Sequence, residues 1–271
     1  MRLGISNIAW DVAEDRKIAQ LLARYDIDAI DIAPGKYFPN PNLASTDEVL
    51  RVKAWWQEYG IEITGMQALL FGTAGLNVFS SPESQRPLIQ HLESICRIGG
   101  ILGATRIVFG SPKNRDRTGL SDQEALSIAV PFFRRIGDIA QSHGVIVCLE
   151  PNPICYGANF MITSEETAQV VKKIAHPAVK MQLDTGALSI NQESVFEVLQ
   201  AHAQIIGHIH ASEADLLPLG DGVCDHVNLS QALRQYLPRH LVAIEMLATK
   251  NEPHDQAIER ALKVAIKHYR H

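Results

Sequence analysis

The chain has 271 residues, 46% of them hydrophobic, and a formal net charge of −5. That length is near the roughly 250 residues of a closed α/β barrel, which predicts one domain over 1–271 with apolar residues enough for a large core. No run approaches the ~20 apolar residues of a membrane span, and the basic residues are dispersed, so neither a membrane nor a nucleic acid is an expected partner.

The N-terminal stretch MRLGISNIAWDVAEDRK has one basic residue ahead of a short apolar run that Asn7 and Asp11 interrupt. It lacks the apolar centre of a signal peptide and reads as a first strand. Cys96, Cys148, Cys155 and Cys224 show neither CxxC nor disulfide-framework spacing. They read as small buried hydrophobes in a reducing compartment, and a cytoplasmic location is expected.

Short β-type runs then alternate with longer amphipathic ones. Strand 2–8 leads to a helix near 14–24, and strand 28–32 to a helix near 46–59 that should end at Gly60. Strand 61–68 precedes helix 83–102 and Gly103; strand 105–109 precedes helix 122–143 and Gly144. These glycines suit left-handed C-caps, which cost little without a Cβ. Ser121 with Glu124, and Thr163 with Glu166, have capping-box spacing. The remaining strands fall at 145–149, 179–183, 205–210 and 241–245, with helices near 164–175, 192–202, 228–236 and 254–268. Eight βα units without a linker predict a closed (β/α)8 TIM barrel. The stretch NIAWDVAED carries no glycine-rich dinucleotide fingerprint, which argues against a doubly wound sheet.

Four ionisable residues close the last four strands: Glu150 ends VIVCLE, Asp184 ends VKMQLD, His210 ends IIGHIH and Glu245 ends LVAIE. A parallel barrel delivers every strand's last residue to one rim, where catalytic groups gather. The separations of 34, 26 and 35 residues each span about one strand, helix and return loop, so the four side chains can meet. Three carboxylates and one imidazole form a hard, oxygen-rich site for one divalent metal ion. Mn2+ is expected first, with Mg2+, Co2+ or Zn2+ as alternatives. Without a cation, such carboxylates would repel and raise one another's pKa values.

The segments CLEPNP, YGANFMIT, QLDTGAL, HIHASEAD, PLGDGVCDH and VAIEML, with GMQALLFG at the third strand, carry a resemblance. In order, they resemble the blocks of the sugar phosphate isomerase/epimerase superfamily, the xylose-isomerase-like barrels, nearest the ketose 3-epimerases. The resemblance implies a metal-dependent isomerase or epimerase acting on a small sugar, sugar phosphate or related polyol. It makes Glu150, Asp184, His210 and Glu245 the metal ligands, and Glu150 and Glu245 also the acid/base pair that moves a proton beside a metal-held carbonyl. Reprotonation of the opposite face gives an epimer; delivery to the neighbouring carbon gives an aldose–ketose isomer. Relatives commonly form dimers or tetramers, so a homo-oligomer is implied.

Two positions depart from that pattern. Ala187 stands where the epimerase relatives have a substrate-binding histidine, and Leu216 where they have an arginine. The departures keep open a dehydratase of inosose-like substrates. An endonuclease IV-like nuclease, which needs a histidine-richer three-metal cluster, and a barrel kept only for binding rank below it.

Further candidate substrate contacts are Trp10 and Phe71, just beyond strand ends, Gln67 in the third-strand block, and Asn152 and Tyr156 in the loop after strand five. Asn159 in that loop suits a turn cap. Glu213 and Asp215 could orient the substrate or His210, while His208 and Gln182 lie one layer below on inward-facing positions. The run 110–115, GSPKNR, offers two cations without a P-loop's spacing and reads as a solvated loop. Trp55 and Trp56 lie within a helix and should pack or mediate association.

Overall fold

The structure, a computed structural model, describes residues 1–270. Its strands are β1 (Leu3–Ser6), β2 (Ala29–Ile32), β3 (Glu62–Met66), β4 (Arg106–Phe109), β5 (Ile146–Leu149), β6 (Val179–Asp184), β7 (Ile206–Ser212) and β8 (Val242–Glu245). Each pairs in parallel with its sequence neighbours, and β1 also pairs with β8, so the sheet closes into a barrel. Helices cover the outside of this barrel while side chains fill its inside. Strands such as β5, IVCL, are therefore apolar on both faces rather than alternating.

The outer layer comprises α1 (Asp15–Arg24), α2 (Thr46–Glu58), α3 (Pro82–Leu102), α4 (Asp122–Ser142), α5 (Ser164–Ile174), α6 (Thr185–Asn191), α7 (Val195–His202), α8 (His226–Tyr236) and α9 (His254–Tyr269). The closed (β/α)8 barrel expected from the alternation is present. Capping boxes at Ser45/Glu48 and Ser121/Glu124 start α2 and α4. At α5 only half of the box forms: Thr163 accepts from the Glu166 N–H, but the Glu166 carboxylate instead accepts from the N–H groups of Met161 and Ile162. Gly103 ends α3 in the left-handed region at φ 87°, as its position predicts.

Three boundaries differ from the sequence reading. The first strand stops at Ser6, because the Ser6 hydroxyl accepts from Ile8 N–H and starts a 3-10 turn over Asn7–Ala9. The helix expected at 192–202 is α7, and an unexpected helix, α6, precedes it, since Asp184 caps α6 immediately after β6 and Gln192 ends it with φ 55°. The seventh strand runs two residues past His210 to Ser212. No helix among the described residues is long and apolar enough to cross a membrane.

Register sets the rim. Asp184 lies opposite His210 across β6 and β7, and Ser212 lies opposite Glu245 across β7 and β8. Glu150 follows β5 directly, its N–H donating to Phe109 O at 3.2 Å.

Candidate active site

The four strand-end residues converge. One ligand-type atom from each of Glu150, Asp184, His210 and Glu245 can be chosen so that all lie within 4.8 Å of one another. His210 Nδ1 is 3.2 Å from Glu245 Oε2 and 3.6 Å from Glu150 Oε1. All four are largely buried, so their charges interact with little screening by water. Burial, followed by repulsion from Glu245 and Glu150, pushes the Asp184 carboxyl up to about 8. Burial opposes the charge on His210, yet Glu245, Asp31 and Glu150 hold its pKa well above the ordinary value. Burial also opposes the charge on Glu245, but His210 and Gln67 bring its pKa below the ordinary range.

The donor set fits a divalent cation. Glu150 Oε1 is buried without a hydrogen-bond partner, and three carboxylates crowd one imidazole. A cation between them would satisfy that oxygen and remove the repulsion that protonates Asp184.

A ring of polar side chains fixes these four. Asp184 Oδ1 accepts from Ala187 N–H at 2.7 Å, and Oδ2 accepts from the Ser212 hydroxyl at 2.6 Å. Gln67 Nε2 donates to Glu245 Oε1 at 2.5 Å, and Asn152 Nδ2 to Glu150 Oε2 at 3.3 Å. Gln182, with its amide oriented to suit its neighbours, accepts from the His210 N–H and faces His210 Nδ1, each at 3.2 Å. Below, Asp31 Oδ2 lies 2.6 Å from His208 Nε2 and 3.5 Å from His210 Nε2.

Asp31, Ser212 and Arg115 were not singled out by sequence reasoning as parts of this support. Asp31 carried one usable signal, an acid in the middle of the short apolar strand AIDI. Arg115 corrects the reading of 110–115 as a solvated loop. It is fully buried and donates to Asn152 Oδ1 at 2.5 Å, bracing the side chain that holds Glu150.

A cavity of about 470 Å³ opens over the group, lined in part by Gln67, Phe71, Glu150, Leu216 and Glu245. Glu150 and Glu245 thus face it directly. Phe71, 84% exposed, stands at its mouth. Tyr156 is part-exposed, and its hydroxyl accepts from the Asp215 N–H at 2.7 Å, just before Leu216. Asn159 ties the loop after β5 to the one after β4, accepting from Arg117 N–H and donating to Asp116.

Of the expected substrate contacts Gln67 and Phe71 line the cavity, whereas Asn152, Tyr156, Trp10 and Glu213 do not, and the last two are held in packing away from it. Trp10 forms no cavity wall: it is buried edge-on to Trp56, and its indole N–H donates to Asp15 at 2.7 Å. Glu213 is 1% exposed, and its carboxylate accepts from Gly220 N–H, Cys224 N–H and His226. It braces the 213–226 loop, both carboxylate oxygens engaged and shielded from the cavity. Asp215 and Leu216 both have left-handed backbone, at φ 57° and 52°, a conformation that costs non-glycine residues energy and persists only where surroundings impose it.

The comparisons agree with this architecture. D-psicose 3-epimerase from Ruminiclostridium cellulolyticum is 29% identical over 106 residues, which are 39% of this chain and 36% of that protein. The alignment therefore spans about a third of that relative's length. Among solved structures, D-psicose 3-epimerase with D-tagatose from Clostridium cellulolyticum H10 superposes with a TM-score of 0.82 at 21% identity, covering 99% of both chains. A 3-keto-D-glucoside 4-epimerase from E. coli superposes at 0.79 with 18% identity, covering 97% of this chain and 98% of that one. At such identities these likenesses establish the fold. The sequence pattern of the xylose isomerase-like TIM barrels matches residues 19–268, nearly the whole barrel including all four rim residues, and the chain belongs to that family.

Proposed function

We propose that this protein is a divalent-metal-dependent isomerase or epimerase of a small sugar or sugar derivative, with Mn2+ the preferred ion. The observation carrying this reading is that two carboxylates of the four-residue group, Glu150 and Glu245, face the cavity, while Asp184 and His210 complete the group without lining it. The sugar epimerases among the structural relatives support the substrate class.

When bound, a divalent cation supplies Lewis-acid polarisation of a carbonyl and its neighbouring hydroxyl, acidifying the C–H bond between them. Glu150, Asp184, His210 and Glu245 would hold it. Glu245, steadied by Gln67, and Glu150, steadied by Asn152, can then reach a sugar carbon from two directions. One carboxylate takes the proton and the other returns it. Proton transfer by a positioned carboxylate contributes roughly 10²–10⁴-fold.

The test is solvent deuterium entering a ketose, sugar phosphate or inosose from a panel incubated with the Mn2+-loaded protein. Exchange that Glu245→Gln abolishes is expected. Absence of exchange into every sugar, or exchange indifferent to Glu245→Gln, would refute the reading. Loss of water from the labelled product would move the assignment to a dehydratase, since β-elimination begins with the same proton removal.

A further inference from the structure

Arg115 is fully buried, and the chemistry above makes no use of its charge. It ends the 3-10 turn Pro112–Arg115 after β4, and burial, opposed by the charges of Glu150 and Glu166, lowers its pKa only to about 10, so it stays cationic at neutral pH. A guanidinium taken out of water is costly unless its donors are met. Here Nη2 is met, by Asn152 Oδ1 at 2.5 Å, whereas Nε and Nη1 have no acceptor among the described residues. Packing alone would be served as well by a hydrocarbon side chain of similar volume. What this charge contributes therefore passes through its bond to Asn152.

That bond decides which way the Asn152 amide faces. Arginine only donates, so it takes the amide oxygen and leaves Nδ2 pointing at the Glu150 carboxylate, 3.3 Å from Oε2. The backbone of Asn152 is fixed as well, its N–H donating to Met161 O at 3.0 Å. With a hydrocarbon at position 115 the amide could rotate and turn its oxygen on the carboxylate, which repels it. Gln67, the counterpart at Glu245, has no such backing: Nε2 donates to Glu245 Oε1, while its own oxygen is buried without a partner among the described residues. The two carboxylates that face the cavity are thus held by two amides, and a buried cation orients one of them.

We propose that Arg115 is a positioning residue for Glu150 alone: acting through Asn152, it sets the carboxylate on one face of the substrate and not the one on the other. The two faces rest on the sugar reading above; the orientation of Glu150 does not. In an epimerisation each of the two sugars gives its proton to a different carboxylate and receives one from the opposite side. Loosening Glu150 slows proton removal from one epimer, while Glu245 still removes and returns the proton of the other.

Initial deuterium uptake from D2O, measured separately into D-fructose and D-psicose and into D-tagatose and D-sorbose, tests this with Mn2+-loaded wild type, Asn152→Ala and Arg115→Met, each protein also being crystallised with Mn2+. In both variants uptake into one epimer of a pair should fall at least about tenfold more than uptake into the other, since a small misplacement of a reacting group is costly. The double variant should lose no more than the worse single one, as expected of residues acting in one chain of contacts. In the crystals the Glu150 carboxylate shifts while Glu245 stays in place. Should Arg115→Met not fold, Asn152→Ala, at a half-buried position, carries the same comparison. Equal falls for both epimers, or a Glu150 unmoved in the variant crystals, overturn the proposal. No uptake into any sugar by wild type refutes the sugar reading, and the shift of Glu150 then decides the positioning on its own.

Discussion

At the scale of single residues, the partners of each buried ionisable group decide what it can do. Glu213 is one such group. Its three hydrogen bonds bring its carboxyl down to about 2 against the opposition of burial, and His226 passes the restraint on through Nδ1, 2.7 Å from the Tyr269 hydroxyl of α9. Glu213→Ala strands those partners and should cost about 1–3 kcal/mol, read as a lower melting temperature with metal affinity nearly unchanged. Asp31 is a stronger test of how His210 is set. Its carboxylate lies beneath His210 Nε2, which leaves Nδ1 toward Glu150 and Glu245. Asp31→Asn removes that charge and should weaken Mn2+ binding roughly 10–100-fold in titration, while the barrel's circular dichroism stays intact. The rim positions of Glu150, Asp184, His210 and Glu245 could be read from sequence because each closes a short apolar run and lies at, or within two residues of, the end of a strand. Trp10 and Glu213 could not be placed, because whether a residue beyond a strand end faces the cavity or the packing under a loop depends on partners distant in the chain, Trp56 and His226.

Elements explain why those residues arrive together. The eight strands and all of the helices but α6 were legible in order because burial on both faces of the sheet and one face of each helix imposes different periods. Helix α6 was hidden: Asp184 serves both as the last residue of β6 and as the cap of α6, and a strand end doubling as a helix cap leaves no loop to notice. The end of β4 shows how closely backbone and site are fitted. A Cβ on Gly110 would lie 2.0 Å from Glu150 Oε2. Gly110→Ala must therefore displace the Glu150 carboxylate, and at least a tenfold loss of Mn2+ affinity is expected by calorimetry, with a much smaller fall in thermal stability. The loop that follows, GSPKNR, was misread for a related reason: its polar composition suggests solvent, while Asn114 and Arg115 are buried by contacts with residues 76–78 and with Asn152.

The whole molecule is a closed barrel carrying concentrated negative charge at one end, and its stability should depend on what neutralises that charge. Burial and the neighbouring Glu245 and Glu150 push the folded Asp184 carboxyl up to about 8 from the 3.8 of an unfolded chain, and His210 is likewise shifted upward. Groups with raised folded pKa values stabilise fully below their unfolded values, and that contribution is lost as pH rises through the folded ones. Chelator-treated protein should therefore melt at a higher temperature near pH 6 than near pH 8.5, and equal melting at both would contradict the charge arrangement. Metal acts in the opposite sense, because it binds the deprotonated ligands. At about one hundred times its dissociation constant it should add about 2.7 kcal/mol, roughly 5–10 °C in melting temperature, and a fixed metal concentration should add more at the higher pH, where the dissociation constant is smaller.

The most direct measurement is anomalous diffraction at the manganese edge from crystals grown with Mn2+. One peak per chain, enclosed by Glu150, Asp184, His210 and Glu245 and absent from crystals of His210→Ala, is the expected result. A barrel with no peak among those four side chains, or with manganese held only elsewhere, would contradict the account.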